Sequence, residues 1–376
     1  MRILQVLLAL AALALLGNVT GADADAESAA AAARKSVDFL LKQQNDDGTF
    51  GKSRAKGLPG MSGLVVKALV QSPDKLLEAN SPAVAKAVKY ILTKQLPSGA
   101  IADPNFGQEN YNTSIAAVAL ASLENPAYHD VLEKAKKYIL SCQLTEERSY
   151  DKDEHKIGYG GFGYGDTKRS DVSNTGFSLE ALKALGVKED SPAWKNAVIF
   201  LKRSQDNSET NDLPQMKDSN DSGGFTYLPG QSEFGTYTTR TGKKLPKPYG
   251  SMTYQAVKSL IYAGVSKDDP CMQAAFKWIK NNYSVKENPG GDGSQGYFYY
   301  VLVFAKAFTA AGVKDLELAD GRKADWAKDL ATHLISLQKA DGSFVNPDPH
   351  WMENDGVLST AYALDALNLC TAALKK

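Results

Sequence analysis

The chain has 376 residues, 43% of them hydrophobic, and its 43 basic and 43 acidic residues cancel. A chain of this length buries about three quarters of its unfolded surface. With no basic field to attract a phosphate backbone, nucleic acid is not expected as a partner. Cys142, Cys271 and Cys370 are too widely spaced for a disulfide framework or a Cys/His cluster, so neither a metal nor another cofactor is expected.

The first predicted element is a leader. Arg2 precedes an apolar run from Ile3 to Leu16 broken only by Gln5, and small residues follow near Ala22, Ala24 and Ala26. This pattern predicts a signal peptide over 1–24 and a secreted or periplasmic mature chain, with one domain over 29–376. No later segment reads as a transmembrane span, since none reaches roughly 20 uninterrupted apolar residues.

From there one unit recurs: an amphipathic helix, a turn, and a second helix with few charges. The first helices and their exits read, in order, "SVDFLLKQQNDDGTF", "AVKYILTKQLPSGAI", "AKKYILSCQLTEERS", "AVIFLKRSQDNSETN", "AAFKWIKNNYSVKEN" and "LATHLISLQKADGSF". The second helices begin near "MSGLVVKALV", "YNTSIAAVALASL", "DVSNTGFSLEALKAL", "SMTYQAVKSLIYAG", "GYFYYVLVFAKAFTAAG" and "VLSTAYALDALNL". Gly48, Gly99 and Gly342 supply the positive φ of a tight helix exit, and Ser62, Asn112, Asp171, Ser251 and Ser359 read as caps of the second helices. Two units carry long Gly-, Tyr- and Asp-rich insertions, suited to rims or lids.

A helix with one charged face belongs outside, and one apolar nearly all round belongs inside. Six such pairs form two concentric layers. The last helix stays apolar almost to its end, which favours closure onto the first unit over an open solenoid with a polar cap. The predicted fold is an all-α (α/α)6 toroid of six helix-pair repeats.

The turns "QNDDGTF" and "QKADGSF" resemble the Q-x-x-x-G-x-W repeats of squalene and hopene cyclases and of protein prenyltransferase β-subunits. The stretches "NPGGDGSQGYFYY" and "HWMENDGVLSTAYALDAL" are similar to prenyltransferase/squalene-oxidase repeat proteins, and the resemblance covers nearly the whole mature chain. It implies acid-initiated chemistry on an isoprenoid or other lipid. "DVSNT" stands where the cyclases carry D-x-D-D-T: Asp171 matches the first carboxylate, while Ser173 and Asn174 occupy the next two positions. The resemblance to prenyltransferases also raises zinc, but "DDPC", with Asp269 and Cys271, opens an outer helix and has no neighbouring His.

The starts of the inner helices converge on one mouth. Asp171, Ser173 and Asn174 are therefore the candidate catalytic group. Asn112, Thr113, Tyr254, Tyr297, Tyr300, Trp351, Glu353 and Thr360 are the candidate substrate-binding residues, with Tyr299 and Tyr362 beside them. Aromatic faces can stabilise a carbocation or stack on sugars. Carboxylates drawn from Glu109, Asp171, Glu353 and Asp355 could instead form a glycosidase-type pair, and Asp292 and His350 lie in neighbouring turns. Three functions thus stay open: a cyclase-like enzyme, a carbohydrate-active toroid binding a glycan, and a ligand-binding platform without catalysis.

Overall fold

The computed structural model describes residues 24–72, 77–154, 156–165 and 167–376. Among the described residues, twelve α-helices alternate between two layers. The outer layer holds α1 (Ala26–Lys42), α3 (Pro82–Thr93), α5 (His129–Ser141), α7 (Pro192–Arg203), α9 (Pro270–Asn281) and α11 (Trp326–Leu337). The inner layer holds α2 (Pro59–Val70), α4 (Glu109–Ala121), α6 (Val172–Ala184), α8 (Gly250–Tyr262), α10 (Tyr297–Ala311) and α12 (Gly356–Leu374). Two short hairpins, β1 (Thr236–Thr238) with β2 (Lys244–Pro246) and β3 (Asp315–Glu317) with β4 (Lys323–Asp325), decorate the rim. The leader expectation falls on residues outside those described, and α1 begins at Ala26, ahead of the expected domain start at 29.

Outer helices start on local signals. Ser81, Ser191 and Asp269 each cap a helix whose first residue is proline, a position where the missing N–H costs nothing. Inner helices are buried almost from end to end, as α10 and α12 show. α12 is long and apolar enough to cross a bilayer, yet most of it is buried inside the ring.

The recurring turn stitches one unit to the next. The Nε2 of Gln44, Gln95, Gln143 and Gln205 each donates to a carbonyl near the start of the following outer helix, at Ala83, Val131, Ala193 and Cys271, over 2.8–3.0 Å. Gln338 does the same to Ala32 at 2.8 Å, so the sixth unit is sewn to the first. At Gly342 (φ +89°) a Cβ would stand 2.1 Å from the Lys35 carbonyl oxygen, so only glycine fits the seam. Inner-layer neighbours pack all the way round, α12 against α2 included, and α12 also packs on α1. The ring is closed.

The inner helices begin differently from the sequence expectation. Of the five predicted caps only Asp171 is one; Ser62, Asn112, Ser251 and Ser359 lie inside their helices, whose N-caps are Leu58, Gln108, Tyr249 and Asp355. The physical reason is that the cap places fall to other residues: Leu58, Gln108 and Tyr249 stand there without a side-chain cap, and Asp355 caps α12 in place of Ser359. Asn112, Ser251 and Ser359 make their hydrogen bonds from within the first turn, while the Ser62 hydroxyl is buried without one.

Candidate functional site

The N-terminal ends of all six inner helices surround a cavity of about 180 Å³. Its walls are mainly aromatic and aliphatic. Tyr111, Tyr299 and Tyr362 come from inner helices, and Tyr164, Tyr227 and Tyr249 from the two insertions. Ring pairs meet at steep angles, Tyr299 with Tyr362 at 62° and Phe234 with Tyr249 at 82°. Such edge-to-face packing holds rings rigidly and turns them toward different directions.

Asp171 caps α6. Its Oδ1 accepts the Asn174 backbone N–H at 2.7 Å, its Oδ2 accepts the Asn174 side-chain amide at 2.8 Å, and the Tyr227 hydroxyl bonds it as well. Burial raises its pKa to about 6 against those hydrogen bonds. The carboxylate is only 2% exposed and does not reach the cavity wall; Tyr227 and Tyr164 stand on that wall, beside it. Of the predicted catalytic group, Ser173 alone lines the cavity, with its Oγ 3.1 Å from the Tyr299 hydroxyl. Asn174 is buried behind it with an unpartnered Oδ1.

Glu353 does line the cavity. One carboxylate oxygen accepts the Tyr299 N–H at 2.7 Å and the other accepts the Phe298 N–H at 3.1 Å and the Asn346 amide at 2.8 Å. It thereby caps α10, whose own N-cap, Gly296, has no side chain to do so. Burial pushes its pKa up to about 7, against those three donors. At the mouth, Trp351 (50% exposed) and Met352 (45%) both hold positive φ, 60° and 62°, a strained conformation for side-chain-bearing residues. Glu233, on the second insertion, brings a further carboxylate to the wall from an exposed position.

Other predicted site residues take structural work. Thr113 and Thr360 accept backbone N–H groups from Ile101 (2.8 Å) and Phe344 (2.9 Å), and Thr175 and Thr253 do the same for Phe162 and Phe225, both at 3.0 Å. These threonines pin each turn to its inner helix. Tyr297 and Tyr300 donate to the carbonyls of Val285 and Ser284, away from the cavity, while Tyr254 sits in an aromatic core with Tyr300 and Phe304. Asn112 lines the wall, but both ends of its amide are engaged, with Gly60 and Gln108. Asp355 caps α12, and neither Glu109 nor Asp292 reaches the cavity. His350 is exposed and pairs with Asp348. Asp269 caps α9 by accepting the Cys271 N–H.

Beneath the cavity lies a group that sequence reasoning missed. Phe177 packs on Tyr111, with ring centroids 4.8 Å apart, and its inner side faces the amines of Lys258 and Lys306, 5.7 and 5.9 Å from its centroid. Glu180 accepts both lysines at 2.7 Å, and Asp365 accepts Lys67 at 2.7 Å. Burial would raise the Glu180 pKa, but the three lysines outweigh it and hold the carboxyl well below its ordinary range. Burial lowers Lys258 to about 8 despite Glu180. The inner helices all point their carbonyl ends this way, and that negative end favours the excess lysine. The available signal was a charge at the ninth or tenth residue of five inner helices that carry almost no other.

The architecture defines an α/α toroid with a central cavity at the N-terminal ends of its inner helices. The sequence matches the prenyltransferase alpha-alpha toroid domain over residues 1–156 and 161–346, and the chain belongs to that family. Among solved structures it is similar to a type II terpene cyclase, MstE from Scytonema (TM-score 0.58, 12% identity, 93% of this chain and 100% of that one). It is also similar to a D-mannose isomerase (0.56, 11%, 92% and 97%) and a possible GH105 member from Salmonella enterica (0.51, 9%, 96% and 97%). At such identities the likeness is one of fold. No curated protein matches the chain.

Proposed function

We propose that the protein is a ligand-binding toroid whose central cavity takes a small, largely apolar molecule, an isoprenoid or other lipid, and holds it without protonating it. One observation carries this reading: the wall is aromatic, while the only surviving cyclase-type carboxylate, Asp171, stands behind it with both oxygens engaged by Asn174. Direct protonation needs an acid within hydrogen-bond reach of the substrate. A variant of the Scytonema cyclase has been solved in complex with geranylgeranyl dihydroxybenzoate as its substrate, which supports the ligand class. The leader points to export, which N-terminal sequencing of the mature protein would test.

The test is calorimetric titration of the purified chain with short prenyl alcohols, alongside product analysis. Saturable binding with no new product is expected. Turnover that disappears in Asp171→Asn and in Tyr227→Phe would overturn the non-catalytic reading. It would favour the second one, supported by the raised Asp171 pKa and its bond to Tyr227, in which a proton passes from the carboxyl through the phenol to an alkene. Glycan turnover lost in Glu353→Gln would instead assign the chemistry to the two wall carboxylates.

A further inference from the structure

Charge on the cavity wall is one-sided. Among the described residues lining it there is no Lys, Arg or His, whereas Glu353 and Glu233 both reach it. Eight aromatic rings share the wall with the thioethers of Met61, Met252 and Met352. The inner-helix N-termini would by themselves favour an anion, but carboxylates already occupy three of them: Asp171 on α6, Asp355 on α12 and Glu353 on α10. What remains is a cage of differently oriented π-faces with acidic residues and no cation on the wall itself; Arg169 stacks on Tyr227, 5.9 Å from its ring centroid, and the lysines lie beneath Phe177, all of them outside the lining. Ring faces carry negative potential, and desolvated cages of this kind attract ammonium groups.

We infer that the cavity is an organic-cation site, and that its ligand is an amphiphile whose quaternary ammonium or protonated amine head sits among Tyr111, Tyr299, Tyr362 and Glu353. This deepens the ligand-binding reading and rests on it. Size agrees: about 180 Å³ lies below the roughly 300–1,000 Å³ of pockets that enclose whole drug-sized ligands, and suits a head group. The exposed Trp351 and Met352 offer apolar surface at the mouth, where a tail would leave.

Choline and its neutral isostere 3,3-dimethylbutan-1-ol separate charge from shape. Both are titrated calorimetrically into the full chain, with tryptophan emission as a second readout, because Trp194, Trp278 and Trp326 are buried and Trp351 is exposed. Choline is expected to bind saturably, at least tenfold more tightly than the isostere, with a shift in Trp351 emission. Glu353→Gln should erase most of that preference. Glu233→Gln, at an exposed position that cannot unfold the core, should reduce it severalfold. Equal binding of the two probes would overturn the cation inference and leave apolar-ligand binding standing. Saturation by prenyl alcohols but by no ammonium probe would do the same, whereas failure of every probe would overturn both.

Discussion

At the scale of single residues, two buried carboxyls govern the cavity's response to pH. Glu353 and Asp171 have folded-state pKa values raised to about 7 and about 6, above the ordinary values of 4.5 and 3.8. Between those limits the folded chain holds protons that the unfolded chain has released, so stability contributed by these groups falls as pH rises from about 4 to 7. Thermal melts should therefore show a higher Tm at pH 5 than at pH 7.5. In Glu353→Gln that difference should shrink, by on the order of 2–3 kcal/mol of pH-dependent stability. A variant whose pH profile overlays the parent's would exclude Glu353 as the source. Glu353→Ala is a different case, since it strands the Phe298 and Tyr299 amides in the interior and should cost about 2–4 kcal/mol by denaturant titration. Sequence spacing put Ser173, Asn112, Trp351 and Glu353 near the cavity because each lies within or just before the first turn of an inner helix. It could not locate Tyr164, Tyr227, Tyr249 or Glu233, which come from insertions whose course is set by distant packing. Tyr297 and Tyr300 do share a helix face, but periodicity says nothing of which way that face looks.

At the scale of elements, the turn and the inner helix behave as one fastened piece. Thr360→Val keeps shape and removes the acceptor for the buried Phe344 N–H, so a loss of about 1–3 kcal/mol is expected in chemical denaturation. A loss below the error of the titration would mean that the pin carries no weight. Glycines separate more sharply. Gly342→Ala meets the Lys35 carbonyl and should cost on the order of 3 kcal/mol or more, while Gly312→Ala, also at positive φ but with open space around it, should cost about 1 kcal/mol. The D-G-x-F turns were legible because a tight exit demands glycine at a fixed place. Cap positions such as Asn112 and Ser251 were misplaced because a short polar residue near a helix start has two uses, capping the first turn or bonding across to a neighbour, and spacing alone does not separate them.

For the molecule as a whole, the buried ion cluster under the cavity joins four of the six inner helices through Glu180, Lys258, Lys306 and Asp365, and Lys67 adds a fifth. Removing one partner leaves a charge stranded: Glu180→Ala should destabilise the chain by roughly 3–5 kcal/mol. Combining it with Lys258→Met and Lys306→Met should recover much of that loss, and a triple variant no better than the single would show that the cluster is not one coupled unit. Closure of the ring has another consequence. The covalent chain is linear, but its packing order is cyclic, since α1 lies against α12 as any unit lies against the next. The start of α1 and the end of α12 both lie on the side away from the cavity, as do the ends joined by each connection from an inner helix to the next outer one. A circular permutant with these ends joined by a short Gly/Ser linker and reopened at Gly321, in the turn between β3 and β4, keeps every seam of the ring while changing which contacts are local along the backbone. Such a permutant should melt close to the parent and differ from it mainly in how fast it refolds.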